Sequence, residues 1–154
     1  DAVFEHGGTL DKFVGDSVMA VFGAPLSTGS DEERAVRAAV DIRTRIDEIN
    51  ERRAREGGTP IRIGIGVHTG EVVAGNIGSP RRMEYTVIGR TVNVASRLEQ
   101  LNKELATDIL VSEDTFSRVE GLVEAERQEP HSVRGVSAPV TTYRVIGLKQ
   151  EHGV

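Results

Sequence analysis

The chain has 154 residues, 38% of them hydrophobic, which fits one globular domain with a core of its own. Its formal net charge of -5 argues against a nucleic-acid surface, because contact with a phosphate backbone requires clustered Lys and Arg, and favours a small partner instead. Cysteine is absent and no apolar run could cross a bilayer, which excludes a disulfide framework, a thiolate metal site and a membrane span, and suits a cytoplasmic protein.

The first part of the chain predicts the end of a helix followed by a β-hairpin. Residues 1–8 are typical of a last helical turn closed by two glycines, with no start signal before it, so we expect the sequence to continue upstream. Residues 9–22 alternate in polarity around a tight turn at Gly15 and Asp16. Taken alone, Asp16 is a turn residue and Lys12 a solvated strand residue, although a carboxylate at a hairpin tip can also bind Mg²⁺.

A second helix and a strand are predicted next. The helix opens at a capping box formed by Ser30 and Glu33 and ends near two glycines at positions 57 and 58. Residues 61–68 predict a strand with glycines 64 and 66 on one face, so another backbone or a ligand must come close there. The glycine spacing fits neither a dinucleotide-binding motif nor a phosphate loop. His68 lacks a second ligand at metal-binding spacing, and we interpret it as a packed or strand-end histidine.

Residues 85–101 predict a strand, a glycine turn and an amphipathic helix. Asn93 and Arg97 are four residues apart and therefore share one surface of this helix. An amide that fixes a hydroxyl and a guanidinium that binds a phosphate could together hold a nucleotide. Taken alone, the pair is more typical of a solvated helix face, since most polar pairs at this spacing face water. The helix is expected to turn its apolar residues, Val92, Ala95, Leu98 and Leu101, toward a core.

The remaining segments complete the predicted fold class. Residues 71–84 predict a short helical turn and a loop whose arginines, Arg81 and Arg82, are solvated. Residues 109–111 predict a strand, Ser112 the start of a helix, and residues 140–146 a terminal strand. Helices and strands intermix without strict alternation, and the hairpin requires antiparallel pairing. The class is therefore α/β or α+β with a mixed sheet.

Three segments resemble a known family in sequence and order. Residues 8–23 (GTLDKFVGDSVMAVFG), 64–70 (GIGVHTG) and 84–99 (EYTVIGRTVNVASRLE) together resemble the class III adenylate/guanylate cyclase catalytic domain. The resemblance extends over nearly the whole chain. It implies a ferredoxin-like-derived mixed sheet with flanking helices, and a homodimeric enzyme that converts a nucleoside triphosphate to the 3′,5′-cyclic monophosphate and pyrophosphate at sites in the subunit interface.

The resemblance also implies roles for individual residues. Asp16 matches one of two aspartates that bind two Mg²⁺ or Mn²⁺ ions, which activate the 3′-hydroxyl and neutralise the triphosphate. Asn93 would orient the ribose, and Arg97 would stabilise negative charge on the α-phosphate during its five-coordinate state. Arg134 is a loose match to a lysine from a late loop that contacts the triphosphate.

The base-reading positions are matched by Lys12 and Thr86. A donor to the purine ring nitrogen and a hydroxyl that accepts from the exocyclic amine suit adenine, so ATP is the expected substrate. Guanylate cyclases of this family are expected to have Glu and Cys there. Most adenylate cyclases of the family have Asp at the position of Thr86. Thr at that position resembles a subgroup that includes many bacterial cyclases and bicarbonate-responsive ones.

The chain also departs from the family pattern. The strand motif carrying the second metal-binding aspartate does not occur in residues 1–154, which are therefore expected to form a single catalytic domain lacking its first strand and most of its first helix. Such a chain alone should have little activity, and regulatory domains are expected elsewhere in the parent protein, whose membrane attachment is open. The alternative is a catalytically inert module that binds nucleotide or dimerises. A diguanylate cyclase or polymerase palm is disfavoured, because the Gly-Gly-Asp/Glu-Glu-Phe hairpin is missing.

Overall fold

The computed structural model describes residues 2–14, 17–23, 29–70, 73–77, 84–130 and 139–149, with secondary structure alone for 11–14, 73–77 and 84–88. The helices are α1 (Ala2–Glu5), α2 (Asp31–Arg55), α3 (Arg90–Leu105) and α4 (Glu113–Val119). The strands are β1 (Thr9–Val14), β2 (Ser17–Val21), β3 (Ile65–Val67), β4 (Val73–Ile77), β5 (Glu84–Ile88), β6 (Ile109–Ser112), β7 (Val123–Arg127) and β8 (Thr142–Leu148).

Four strands form a mixed sheet in the order β3, β6, β8, β7. β3 runs parallel to β6, whereas β8 is antiparallel to both of its neighbours. β1 pairs with β2, and β4 pairs with β5, as two separate antiparallel ladders. The predicted mixed sheet and the predicted hairpin of residues 9–22 are both confirmed. The hairpin turn at Gly15 and Asp16 lies outside the described residues.

The core lies on both faces of β6, because successive residues of a strand point to opposite sides. Ile109 and Val111 pack with α2, α4, β7 and β8, through residues such as Val36 and Val145. Leu110 points the other way and packs with α3 through residues that include Leu98 and Leu101. The sheet therefore has helices on both faces. Leu98 and Leu101 have no exposed surface, and burying each stabilises the fold by about 1.5–3 kcal/mol.

Three predictions of secondary structure were wrong or incomplete. Residues 73–77, expected within a helical turn, form β4, because pairing with β5 overrides a sequence that includes Gly75 and Asn76. The strand predicted over residues 61–68 is limited to Ile65–Val67. Its expected first residue, Ile61, is bound instead by Asn50 of α2, which accepts from the Ile61 N–H at 2.7 Å and donates to its carbonyl at 2.8 Å. β7 was not predicted.

The predicted capping box of α2 was also wrong. The helix begins after Ser30 as expected, but Ser30 has a left-handed backbone with φ 53° and its side chain makes no capping hydrogen bond. A capping side chain usually needs an extended backbone to reach the first free N–H groups. The end of α1 follows the prediction, because Gly7 has φ 80° and the N–H of Gly8 donates to the carbonyl of Val3 at 2.8 Å.

Candidate catalytic site

The helix α3 lies directly against the backbone of β3. A side chain at Gly66 would bring its Cβ within 2.5 Å of the carbonyl oxygen of Ala95, and one at Gly64 within 2.9 Å of the Cβ of Asn102. Both glycines therefore allow a helix to approach more closely than any other residue would. This confirms that the glycine face of residues 61–68 receives another backbone.

A buried amide fixes α3 at this distance. Asn102 is 2% exposed, and its Nδ2 donates to the carbonyl of Ile65 in β3 at 3.0 Å. Its Oδ1 accepts from the hydroxyl of Thr107 at 2.9 Å. Sequence reasoning missed Asn102, although its place four residues after Leu98 puts a polar group in the apolar stripe of the helix, which is a signal in itself.

The observed core face of α3 differs slightly from the predicted one. Leu98 and Leu101 are buried as expected, but Val94 is buried in place of Val92 and Ala95, which are only half-buried. The reason is that Ala95 lies over the glycines of β3, whereas Val94 packs beside Leu110. The helix is therefore turned so that β3 and β6 contact adjacent parts of its surface.

Asn93 and Arg97 lie on the opposite face of α3. With about 100° of rotation per residue, both are roughly half a turn away from the side that contacts Gly64 and Gly66. Asn93 is exposed and the Arg97 side chain is 33% exposed. The Nη1 atom of Arg97 lies 3.2 Å from the Oε1 atom of Glu104, two helical turns further on. Packing thus holds the helix while both polar side chains remain accessible.

The two predicted base-reading residues lie on strands that meet. Lys12 is opposite Met19 in the β1–β2 ladder, and Thr86 is opposite Gly75 in the β4–β5 ladder. β5 contacts both β1 and α3, so the strands that carry Lys12 and Thr86 and the helix that carries Asn93 and Arg97 are neighbours within one chain. Asp16 and Arg134 lie outside the described residues, as do Arg81 and Arg82.

The histidine after β3 is a packed residue, as the sequence indicated. The Nδ1 atom of His68 lies 2.7 Å from the hydroxyl of Ser112, which also accepts from the N–H of Thr115 at 3.4 Å and so caps α4 as predicted. Burial lowers the pKa of His68, and the nearby carboxylate of Asp114 opposes this shift. His68 also lines a cavity of about 280 Å³ beside the start of α3, and neither Asn93 nor Arg97 lines that cavity.

A metal site cannot be built from the described side chains alone. No three His, Cys, Asp or Glu residues in that part of the chain lie close enough together to hold an ion. Hard divalent cations need carboxylates, and the candidate ligand Asp16 lies between the ends of β1 and β2, at residues that the structure does not describe. Within the described ranges, no helix has the length and apolar character required to span a membrane.

The fold and the three motifs define a cyclase catalytic domain. Residues 5–147 match the family described as "Adenylate and Guanylate cyclase catalytic domain", and the chain belongs to this family. The match covers every helix and strand that carries a predicted site residue.

Particular relatives include both kinds of cyclase. The chain is 34% identical over 148 residues to "Adenylate cyclase 1" of Rhizobium meliloti (strain 1021), covering 96% of this chain and 22% of that protein. It therefore spans about a fifth of the length of that relative. Among solved structures, the guanylyl cyclase Cya2 gives a TM-score of 0.86 at 35% identity, covering 100% of this chain and 77% of that chain. The adenylyl cyclase CyaB from P. aeruginosa gives 0.85 at 34% identity, covering 99% and 78%.

Proposed function

We propose that this domain is an adenylate cyclase that converts ATP to 3′,5′-cyclic AMP and pyrophosphate. The 3′-oxygen of the ribose forms a bond to the α-phosphorus, the bond from that phosphorus to the bridging oxygen of pyrophosphate breaks, and the hydroxyl proton passes to solvent. The observation that carries the proposal is the arrangement of α3. Its inner face is fixed on Gly64 and Gly66, while its outer face presents Asn93 and Arg97 one turn apart.

Asn93 and Arg97 supply orientation and charge. The Asn93 amide can hold the ribose so that its 3′-oxygen is directed at phosphorus, which is a positional contribution. The Arg97 guanidinium can donate to the α-phosphate oxygens as negative charge develops on them, and losing one such donor typically costs about 10²–10³ in rate. Both roles require a helix that does not shift, and the close contact of α3 with β3 supports that requirement.

The choice between ATP and GTP depends on few residues. Overall similarity does not separate them, because the guanylyl cyclase and the adenylyl cyclase match with TM-scores of 0.86 and 0.85. Lys12 can donate to the ring nitrogen of adenine, and the Thr86 hydroxyl can accept from its exocyclic amine. The contact of β5 with β1 supports a shared base site for these two residues.

The carboxylate of Asp16 would bind Mg²⁺ or Mn²⁺ together with a second aspartate on a strand that we propose to precede this chain. Bound divalent ions would lower the pKa of the 3′-hydroxyl and neutralise the triphosphate. β3 is at the edge of its sheet among the described strands, which supports a further strand beside it. Arg134 would contact the triphosphate. The 154 residues alone would have little activity, because one metal ligand is missing from them.

We further propose that two copies of the domain complete each site. Asp16 would serve a site from one subunit, while Lys12, Thr86, Asn93 and Arg97 reach it from the other. In support, Asn93 is exposed and the Arg97 side chain is 33% exposed in the single chain, so both are accessible to a second copy. Val18, on the hairpin that carries Asp16, is 54% exposed and is therefore available to a second chain.

An assay of the complete domain, meaning this chain with its proposed upstream strand, tests the function. With Mn²⁺ present, ATP should yield cyclic AMP faster than GTP yields cyclic GMP. Replacing Lys12 with Glu and Thr86 with Cys should lower the ATP rate and raise the GTP rate, because a donor becomes an acceptor that suits the ring N–H of guanine. An unchanged ratio of the ATP rate to the GTP rate would refute the base-reading roles of Lys12 and Thr86. Nucleotide binding without turnover would favour the inert module.

A further inference from the structure

The guanidinium of Arg97 is directed along its own helix toward Glu104. The two residues are seven positions apart, so at 1.5 Å per residue their Cα atoms are separated by about 10 Å along the axis. A 3.2 Å contact between Nη1 and Oε1 requires both side chains to extend toward each other. Arg97 therefore points to the C-terminal end of α3, whereas Asn93 lies one turn toward the N-terminal end. In this state the guanidinium of Arg97 is directed away from the turn that carries Asn93.

The ion pair between Arg97 and Glu104 is weak enough that a bound nucleotide can break it. The side chains of Arg97 and Glu104 are 33% and 55% exposed, and ion pairs in such surroundings contribute about 0.2–1 kcal/mol. A guanidinium often binds phosphate through two charge-assisted hydrogen bonds, whereas Arg97 makes a single one to Glu104, between Nη1 and Oε1. Among the described side chains, Glu104 is the only ion-pair partner of Arg97. The contact can therefore bias the position of Arg97 without preventing its use.

We propose that Glu104 is a positioning residue that holds Arg97 in a withdrawn orientation until the substrate phosphates replace its carboxylate. The inference rests on the proposed function, since it requires Arg97 to act on the nucleotide. It assigns to Glu104 a restraint on the site that the cyclase motifs do not contain, because residue 104 lies beyond the last of them.

The size of the effect follows from the strength of the pair. When only part of the population has Arg97 free, the apparent affinity for nucleotide falls in proportion to that fraction. An exposed pair of this kind corresponds to a factor of about 1.5–5. Because the restraint is electrostatic and exposed, salt should weaken it, since the screening length shortens from about 10 Å at 0.1 M to about 3 Å at 1 M.

The test compares Glu104→Gln with Glu99→Gln in the complete domain. Both variants remove one negative charge from α3, but Glu99 is two residues from Arg97 and therefore about 200° around the helix. At low salt, Glu104→Gln should raise kcat/KM for ATP by roughly 1.5–5-fold, while Glu99→Gln should match the wild type. At high salt the advantage of Glu104→Gln should shrink.

The outcomes separate this inference from the proposed function. If Arg97→Ala is inactive and Glu104→Gln equals Glu99→Gln at low salt, Glu104 exerts no restraint and the inference alone is overturned. If Arg97→Ala keeps the activity of the wild type, or the wild type makes no cyclic nucleotide, the proposed function fails and the inference fails with it. A gain that persists unchanged at high salt would also overturn it, because that screening must weaken an exposed charge pair.

Discussion

The contact of α3 with β3 and the contact of α2 with α1 are of opposite kinds. α3 contacts β3 through backbone atoms at Gly64 and Gly66 and through the buried amide of Asn102. Close-packed interiors resist even small displacements, so this contact opposes shifts of the helix against the strand. The contact on the inner face of α3 therefore determines the position of Asn93 and Arg97 on its outer face.

α2 meets α1 through charged side chains instead. Arg45 pairs with Glu5 of α1 and with Asp41 of its own helix, and the Nε2 atom of His6 lies 3.2 Å from the Oδ2 atom of Asp41. Burial raises the pKa of Asp41, but hydrogen bonds from Arg45 and His6 outweigh it and hold that pKa below its usual value. Exposed ion pairs contribute little and tolerate rearrangement. We therefore expect the ion pairs between α1 and α2 to tolerate substitution better than the contact between α3 and β3.

The largest expected effect comes from adding a methyl group at the rigid contact. Gly66→Ala in the complete domain should destabilise the fold by about 1–3 kcal/mol, because the new Cβ meets backbone atoms of α3 that cannot rotate away. Displacing Asn93 and Arg97 by about 1 Å should reduce the cyclase rate by roughly 100-fold. Denaturant unfolding and a rate assay measure the two effects.

Gly121→Ala is the matched control, because nothing lies within 4 Å of a Cβ at that position. It should leave both stability and rate close to those of the wild type. Equal behaviour of Gly66→Ala and Gly121→Ala would mean that α3 is not held by close backbone contact.

A substitution at the contact between α1 and α2 should have a far smaller effect on stability. Arg45→Gln removes the pairs with Glu5 and Asp41 but keeps part of the side-chain stem. We expect a shift of the thermal midpoint much smaller than that of Gly66→Ala, and no change in cyclase rate, because these side chains are partly exposed. Arg52→Gln, on the same helix, is the charge-matched comparison. A loss of stability as large as that of Gly66→Ala would show that the contact between α1 and α2 is as important for stability as the contact between α3 and β3.

The smallest expected effect is a pH dependence of stability at His68. Its folded pKa is lowered below the ordinary 6.5 by burial, so the unfolded chain binds the proton more readily. The contribution of neutral His68 to stability is present above pH 6.5 and is lost as the pH falls through the folded pKa. His68→Gln should make the free energy of unfolding less dependent on pH between the folded pKa of His68 and pH 6.5. An identical pH profile for both proteins would show that His68 is not buried as described.

The fold was predictable where local patterns decide it. The hairpin of β1 and β2, the helix α3 and the cap at Ser112 follow from turn residues, apolar spacing and a capping hydroxyl. β4 was not predictable in this way, because its strand character comes from pairing with β5 rather than from its residues. β7 did offer a signal, since Val123 and Ala125 alternate with glutamates, but a short charged strand at a sheet edge gives a weak one.

The candidate site was predictable in part. The motif positions gave Asn93 and Arg97, and the structure puts both on one accessible face. The position of Asn102 in the apolar stripe was a signal, but its contact with β3 and the contact of Glu104 with Arg97 could not be assigned from sequence. Their contacts depend on how α3 is seated on β3 and on which way an arginine side chain extends, and neither is encoded in local spacing.

The central claim is that the outer face of α3 completes a site with Asp16 of a second copy. Asp16→Ala and Arg97→Ala homodimers of the complete domain should each be inactive, because every site then lacks either its metal ligand or its phosphate-binding cation. After subunit exchange, about half of the dimers are mixed and each has one intact site. The mixture should therefore regain roughly a quarter of wild-type cyclic AMP production. A mixture that stays as inactive as its parents, with exchange verified, would contradict the shared site.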